Sequence, residues 1–176
     1  MKQNPNKRPA FGGALAVAAM FCALAAGPAV SAAPKVGQPV PEFRVTTLDG
    51  KPLDADALRG KVTLVHFWAT WCPPCVAEMP ALDKFYREHR QEGFEVVAIS
   101  MDDDGDQAKV REFTKRFAFP VAMKSATKVD GFGRLWALPL SFLIDRNAFV
   151  RKTEWTGAEA IDAASLDRLV VPLLSP

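Results

Sequence analysis

Metal-binding side chains are scarce in this sequence. The 176 residues include two histidines, His66 and His89, and three cysteines, of which Cys72 and Cys75 stand in one motif. A structural zinc site usually needs four ligands, and neither a second cysteine pair nor a histidine pair is available to complete one. We therefore expect no metal site, and we expect no cofactor.

The predicted domain also lacks a large net charge of either sign. From residue 33 onward the chain has 19 basic and 20 acidic side chains, which gives a net charge of −1. A surface with this balance gives no electrostatic reason to bind nucleic acid. The length suits one compact domain with its own hydrophobic core, and no internal repeat or low-complexity linker divides the chain.

The start of the chain lacks acidic residues, since none precedes Glu42. A short basic stretch leads into an uncharged, apolar run over residues 11–30, and small residues follow it, as in a secretory signal. We predict a signal peptide over residues 1–32, cut after Ala32, and a domain over residues 33–176. A retained inner-membrane anchor is the alternative, because the run is about long enough to span a bilayer. Both alternatives place the domain outside the cytoplasm, in the periplasm or an equivalent compartment.

Two of the three cysteines form a pair, and the third, Cys22, is expected to have no role in the chemistry. Cys22 lies in the apolar run, and Phe21 stands where a lipoprotein signal would need a small residue. Cys72 and Cys75 are separated by two prolines, so a bridge between them closes too small a loop to restrict the unfolded chain much. Redox cycling is therefore a better interpretation of this pair than a structural staple.

The cysteine pair lies between a predicted strand and a predicted helix. Residues 62–68 are mostly β-branched and aromatic, as in a buried strand, and residues 76–90 have apolar side chains at helical spacing. Cys72 then caps the helix, where free backbone N–H groups and the helix dipole stabilise a thiolate, while Cys75 lies a turn inside and is shielded. We predict that Cys72 is the attacking thiol and Cys75 the resolving thiol.

Other strands and helices alternate with this unit. The pattern predicts a strand over 94–100, a helix over 107–117, a hairpin of 140–144 and 148–152, a final helix over 158–174, and an N-terminal hairpin about a turn at 49–51. This order indicates an α/β domain with a parallel-strand core. The acidic run at 102–104 is interpreted as the solvated start of the second helix.

The cysteine motif and its surroundings resemble a known family. Residues 67–75, with Glu78, Met79, Pro80 and Leu82 after them, are similar to the active-site segment of the TlpA/ResA/DsbE (CcmG-like) group of thiol–disulfide oxidoreductases. The similarity extends through residues 37–43, 58–61, 138–139 and 142–145. It implies a thioredoxin-like fold: a central mixed sheet flanked by helices, with an N-terminal β-hairpin and a helix inserted after the second core strand.

The resemblance also implies a groove for the partner protein. Pro139 would be the cis-proline that faces the disulfide, and Leu138 precedes it; proline is the residue for which a cis bond costs little. Trp71, Pro73 and Pro74 would line the groove beside the cysteines, and Trp136 could form its other wall. Trp68 is expected to belong to the core instead.

Two side chains near the cysteines could move protons. Glu78 lies three residues after Cys75 on the same helical face, so its carboxyl could accept the Cys75 proton; the alternative is an exposed glutamate paired with Lys84 or Arg87. His66 stands where cytoplasmic thioredoxins have a buried acid. A lone histidine in a buried strand is more often a hydrogen-bonded core residue than a catalyst.

These features predict an exported protein-disulfide reductase that acts as a monomer. By the resemblance, its electrons come from a membrane carrier of the DsbD or CcdA type, and its clients are envelope proteins such as apocytochrome c or copper-site assembly factors. A peroxiredoxin-like peroxidase is one alternative, although the Pro-x-x-x-Thr-x-x-Cys peroxide pocket is absent. The other is a non-enzymatic peptide-binding or chaperone module in which the cysteines are structural.

Overall fold

The structure is a computed structural model that describes Met1, residues 32–157 and residues 159–174. The predicted signal peptide therefore lies outside the described residues except at its two ends, and Cys22 lies outside them altogether. In the part that is described, no helix is both long enough and apolar enough to cross a membrane.

The described residues form eight strands and three α-helices. In chain order they are β1 (Arg44–Thr46), β2 (Pro52–Asp54), β3 (Val62–Trp68), α1 (Pro73–His89), β4 (Phe94–Ser100), α2 (Gln107–Thr114), β5 (Val121–Met123), β6 (Thr127–Lys128), β7 (Leu140–Ile144), β8 (Val150–Thr156) and α3 (Ala163–Leu174). The predicted strands and helices occur in the predicted order, and two short strands that were not predicted, β5 and β6, lie between α2 and β7.

Five strands form the central mixed sheet, in the order β5-β4-β3-β7-β8. β3 runs parallel to β4, and β4 runs parallel to β5, whereas β7 is antiparallel to both β3 and β8. This arrangement confirms the predicted thioredoxin-like fold. It also places β3, which leads into the cysteine motif, in the middle of the sheet.

β3 is buried on both faces, which explains its continuous run of apolar and β-branched residues. Its alternate side chains enter two different cores. Leu64 and Trp68 pack with residues of all three described helices, whereas Val65 and Phe67 pack with residues of β1 and of the segment around Phe132. The strand that carries the motif is therefore held from both sides.

The predicted N-terminal hairpin is present and consists of two strands of three residues each. β1 and β2 pair antiparallel around a turn in which Gly50 has a φ of 80°, a conformation that favours glycine. β6 adds to the other edge of β1, so the hairpin becomes a three-stranded sheet. The sequence pattern did not predict this third strand, because β6 has only two residues.

Two predicted boundaries need correction, but the start of α1 does not. α1 begins at Pro73, directly after its predicted cap Cys72, and both prolines occupy first-turn positions where no N–H is needed. α2 ends at Thr114 instead of residue 117. α3 begins at Ala163 instead of residue 158, since Asp162 and Ser165 exchange side-chain-to-backbone hydrogen bonds of 2.8 and 3.0 Å that fix the start of the helix.

Candidate active site

A disulfide joins Cys72 and Cys75 at the N-terminus of α1, with an S–S distance of 2.04 Å. Cys72 is the N-cap in extended conformation, and its sulfur accepts the Cys75 N–H at 3.3 Å. Pro73 and Pro74 follow as the first helical residues, so neither can donate a backbone N–H to this sulfur. Cys72 is 5% exposed and Cys75 is fully buried, which leaves Cys72 as the more accessible sulfur.

A groove of about 520 Å³ borders Cys72. Its lining carries no charged side chain, and it includes five of the six residues predicted for the groove, namely Trp71, Pro73, Pro74, Trp136 and Leu138. Met101, Leu135 and Ala137 also line it, although sequence analysis did not single them out. The structure thus brings an apolar surface against the sulfur atom that Cys72 presents.

Trp71 and Trp136 both line the groove, and they are 61% and 60% exposed. The indole N–H of Trp136 donates to Glu154 Oε1 at 3.0 Å. Glu154 lies in β8 where the pairing with β7 is irregular, and its φ of 48° is rare for a residue other than glycine. Trp68, by contrast, is fully buried in the core, as predicted.

The peptide bond between Leu138 and Pro139 is cis, as expected from the sequence. Pro139 is buried and does not itself line the groove. A Cβ atom built on Gly157 would lie 3.2 Å from Pro139 Cδ and 3.8 Å from Pro74 Cβ. The backbone at Gly157 therefore approaches both prolines, and it lies next to the start of α1.

Glu78 is buried on α1, one turn after Cys75, and is 6% exposed. Its Oε1 accepts the backbone N–H of Ile161 at 3.1 Å, while Oε2 has no hydrogen-bond partner among the described residues. Burial raises the pKa of Glu78 to about 7, although the bond from Ile161 partly opposes this rise. A carboxyl with this pKa can take up and release a proton near neutral pH.

The alternative of an exposed, ion-paired Glu78 is wrong. Lys84 lies 3.9 Å from Glu88, and Arg87 donates to Asp83 at 2.7 Å. Both basic residues thus pair with other acids on α1.

His66 is a hydrogen-bonded core residue. Its ring is fully buried in β3, and its Nδ1 lies 2.8 Å from Ser141 Oγ on the neighbouring β7. Burial lowers the pKa of His66 to about 4. The imidazole is therefore neutral at physiological pH, and no charge from it faces the disulfide.

The two buried groups predict opposite dependences of stability on pH. Between pH 4.5 and 7 the folded state keeps the Glu78 proton that the unfolded chain has lost, so stability falls as the pH rises. Between pH 4 and 6.5 the unfolded chain holds a His66 proton that the folded state lacks, so stability rises. The two windows overlap, and the wild type alone therefore hides both effects.

The variant Glu78→Gln is expected to separate the effects of Glu78 and His66 on the pH dependence of stability. The free energy of unfolding of the wild type, minus that of the variant, should fall by about 3 kcal/mol between pH 4 and 8. Denaturant unfolding with the disulfide intact measures this difference. Glu88→Gln, an exposed change on the same helix, should give a nearly flat difference. A flat curve for Glu78→Gln as well would show that Glu78 does not keep its proton.

The acidic run at 102–104, after β4, is only partly solvated. The prediction that the whole run is solvated is therefore wrong. Asp103 and Asp104 are exposed, but Asp102 is 5% exposed. Asp102 accepts hydrogen bonds from the N–H of Thr70 at 2.9 Å, from the Thr70 hydroxyl and from the Ser100 hydroxyl at 2.7 Å. Thr70 stands two residues before Cys72, and sequence analysis missed this contact because it joins residues 32 positions apart.

Comparisons with known proteins agree with the fold and the motif. The profile of the Redoxin family matches residues 35–169. A thiol–disulfide oxidoreductase ResA of Bacillus cereus is 38% identical over 118 residues, which cover 66% of this chain and 67% of that protein. ResA of Geobacillus thermodenitrificans is 33% identical over 119 residues, with the same coverage of both chains.

Solved structures show the same similarity. A thiol:disulfide interchange protein of the thioredoxin family from Chlorobium tepidum superposes with a TM-score of 0.61 at 28% identity, covering 81% of this chain and all of that chain. A candidate DsbE thiol:disulfide interchange protein from the same organism gives a TM-score of 0.65 at 25% identity, with the same coverage.

Proposed function

Since this chain belongs to the redoxin family, in its TlpA/ResA/DsbE-like group of thiol–disulfide oxidoreductases, we propose that it reduces disulfides in proteins outside the cytoplasm. One observation carries the proposal: the disulfide lies at the start of α1, and its more accessible sulfur borders an uncharged groove. An apolar groove suits a partly unfolded polypeptide, which exposes apolar side chains around its cysteines. The cysteine pair would carry out the thiol–disulfide exchange, and the groove would bind the client polypeptide.

The reaction begins with the reduced protein. The Cys72 thiolate attacks one sulfur of the client disulfide, forms a mixed disulfide and displaces the other client sulfur as a thiolate, which takes a proton from solvent. Cys75 then attacks the Cys72 sulfur, releases the second client thiolate and closes the Cys72–Cys75 disulfide. Two electrons pass from the cysteine pair to the client in each cycle.

Glu78 would serve the second step. Cys75 is fully buried, so its thiol has no direct access to water and needs a nearby base. Glu78 is on the same face of α1, with Oε2 unpartnered among the described residues and a pKa raised to about 7 by burial. It can therefore accept the Cys75 proton as the thiolate forms, and later pass that proton to the departing client thiolate.

The groove residues Trp71, Pro73, Pro74 and Leu138 would contact the client chain, with Pro139 fixing the backbone behind them. We further propose that residues 1–32 export the domain, either as a cleaved signal or as an inner-membrane anchor, and that residues 33–176 form the working domain. Each cycle leaves the cysteines oxidised, so a membrane electron donor of the DsbD or CcdA type would have to reduce them. Apocytochrome c and copper-site assembly factors would be clients of suitable chemistry.

Replacing Cys72 tests the proposal against a non-enzymatic binding role. With dithiothreitol as reductant, the full chain is expected to accelerate insulin reduction, and Cys72→Ser should fall to the rate of dithiothreitol alone, because the attacking sulfur is gone. Cys22→Ser, which changes a cysteine outside the motif, is the matched control and should keep full activity. Circular dichroism confirms that each variant is folded. A wild-type rate no higher than that of dithiothreitol alone, equal to the rate of folded Cys72→Ser, would favour a binding module with structural cysteines.

A further inference from the structure

The loop between β3 and α1 is held by a carboxylate from the end of β4. Both hydrogen-bond donors of Thr70 bond to Asp102: the backbone N–H donates to Oδ2 at 2.9 Å, and the hydroxyl donates to Oδ1. The Ser100 hydroxyl donates to Oδ2 at 2.7 Å, and Ser100 Oγ in turn accepts the Asp102 N–H at 3.1 Å. Asp102 thus ties the corner after β4 to the residues just before Cys72.

The chemistry of this cluster requires a carboxylate. Three donors converge on Asp102, and a carboxylate has acceptor sites for all of them, whereas an amide has a single acceptor oxygen. Asp102 is buried, and the positive charge of Lys109 adds a smaller effect that favours its ionised form. Burial raises the pKa of Asp102, but the hydrogen bonds from Thr70 and Ser100 outweigh it and hold the pKa below its ordinary value. The carboxylate therefore remains ionised and accepts all three bonds.

The position of Cys72 depends on the chain that precedes it. Its sulfur accepts one backbone N–H, from Cys75, and the two prolines of the first turn add no donor. On the N-terminal side, the Cys72 N–H donates to Ala69 O at 3.2 Å, within the loop that Thr70 anchors. Movement of Thr70 would therefore be transmitted to both Trp71 and Cys72.

The same corner also shapes the groove. The N–H of Met101, next to Asp102, donates to Trp68 O at 2.8 Å, so the ends of β3 and β4 are bonded to each other. Met101, Trp71 and Cys72 all line the groove. The anchor thus joins the segment that carries Met101 to the segment that carries Trp71 and the reactive sulfur.

We propose that Asp102 is a positioning residue for thiol–disulfide exchange, which acts through Thr70 to hold Trp71 and Cys72 in place against the groove. Asp102 does not itself contact the sulfur atoms. The kinetic part of this inference rests on the proposed reductase function, whereas the anchoring of the loop does not.

Kinetics of the full chain in insulin reduction test the positioning role. Asp102→Ala is expected to lower kcat/KM about tenfold, the loss typical of a well-placed hydrogen bond to a charged group. Thr70→Val removes only the hydroxyl and should lower kcat/KM about threefold, while Thr70→Ser keeps the hydroxyl and should stay near the wild type. Because both residues act in one contact, the double variant Thr70→Val with Asp102→Ala should be no slower than Asp102→Ala.

Asp83→Ala is the matched control for a purely structural role. Asp83 also anchors a loop, since it accepts the Ala118 N–H at 2.6 Å and the Arg87 guanidinium at 2.7 Å, but it lies about three turns along α1 from Cys72. Its loss should lower the unfolding temperature and leave kcat/KM unchanged below that temperature. If folded Asp102→Ala also kept wild-type kcat/KM, or if the losses of the double variant multiplied, the positioning role would be refuted.

Hydrogen exchange tests the anchor without a client. In Asp102→Ala the amides of residues 69–72 should exchange about tenfold faster than in the wild type, since Thr70 N–H loses its acceptor. Unchanged exchange there would refute the anchor itself. Faster exchange together with an inactive wild type would instead refute the reductase function and leave the anchor standing.

Discussion

A full chain with Cys75 replaced by alanine is expected to accumulate covalent adducts with its client proteins in the native envelope. Adducts should appear as bands of higher mass on non-reducing gels and disappear on treatment with dithiothreitol. The expected contrast with the wild type is large, because in the wild type the mixed disulfide is a transient intermediate. Mass spectrometry of the adducts would identify the clients.

The geometry explains why Cys75 should be the thiol whose loss traps the intermediate. Cys72 borders the groove and is the helix N-cap, where a thiolate is stabilised, whereas Cys75 is fully buried one turn inside. A client disulfide can therefore reach Cys72 first. Without Cys75, the bond between Cys72 and the client has no internal thiol to break it.

Cys72→Ala is the matched control, since it removes the other member of the pair and leaves Cys75 in place. It should trap few or no clients, because Cys75 is shielded from them. Equal trapping by Cys75→Ala and Cys72→Ala would contradict the assignment of attacking and resolving thiols.

The reduction potential is expected to be close to that of thioredoxin, about −270 mV, and far from that of a DsbA-type oxidase, about −120 mV. A strong oxidant owes its potential to a reduced form in which the cysteine thiolate is well stabilised. Here Pro73 and Pro74 remove two N–H donors from the first turn, and the Cys72 sulfur accepts from the Cys75 N–H. The thiolate is therefore less stabilised, and the disulfide is harder to reduce.

Replacing Pro73 by histidine should raise the reduction potential. The new residue adds a backbone N–H and a side chain that can carry positive charge near the Cys72 sulfur, and both stabilise the thiolate. We expect the potential to rise by about 30 mV or more, which corresponds to a tenfold change in the equilibrium constant. Equilibration with glutathione measures the reduction potentials of the wild type and of Pro73→His. An unchanged or lower potential would show that the prolines do not limit thiolate stabilisation.

The sequence was sufficient to predict the β3–α1 unit, because local patterns determine it. A run of apolar and β-branched residues, two prolines and a helical repeat stand next to one another in the chain, and each indicates its own local structure. The cysteine pair, Trp71 and the groove prolines could be located for the same reason. Pro139 was identified from the family resemblance, and its cis peptide bond is present in the structure.

Contacts between distant parts of the chain could not be predicted in this way. Asp102 reaches Thr70 across 32 residues, and Glu78 binds the backbone of Ile161 across 83 residues. Neither contact leaves a periodic signal, since a buried carboxylate and an exposed one look alike in a sequence. The acidic run was therefore interpreted as solvated throughout, and only the folded structure shows that its first member is buried.

Whether this protein is a reductant can be decided by a redox titration of the wild-type full chain against glutathione, with the fraction of Cys72–Cys75 disulfide measured at equilibrium. We expect a midpoint near −270 mV, so that the pair stays oxidised until the glutathione buffer is strongly reducing. A midpoint near −120 mV would refute the reductant assignment, and the protein would then be a disulfide-forming oxidase.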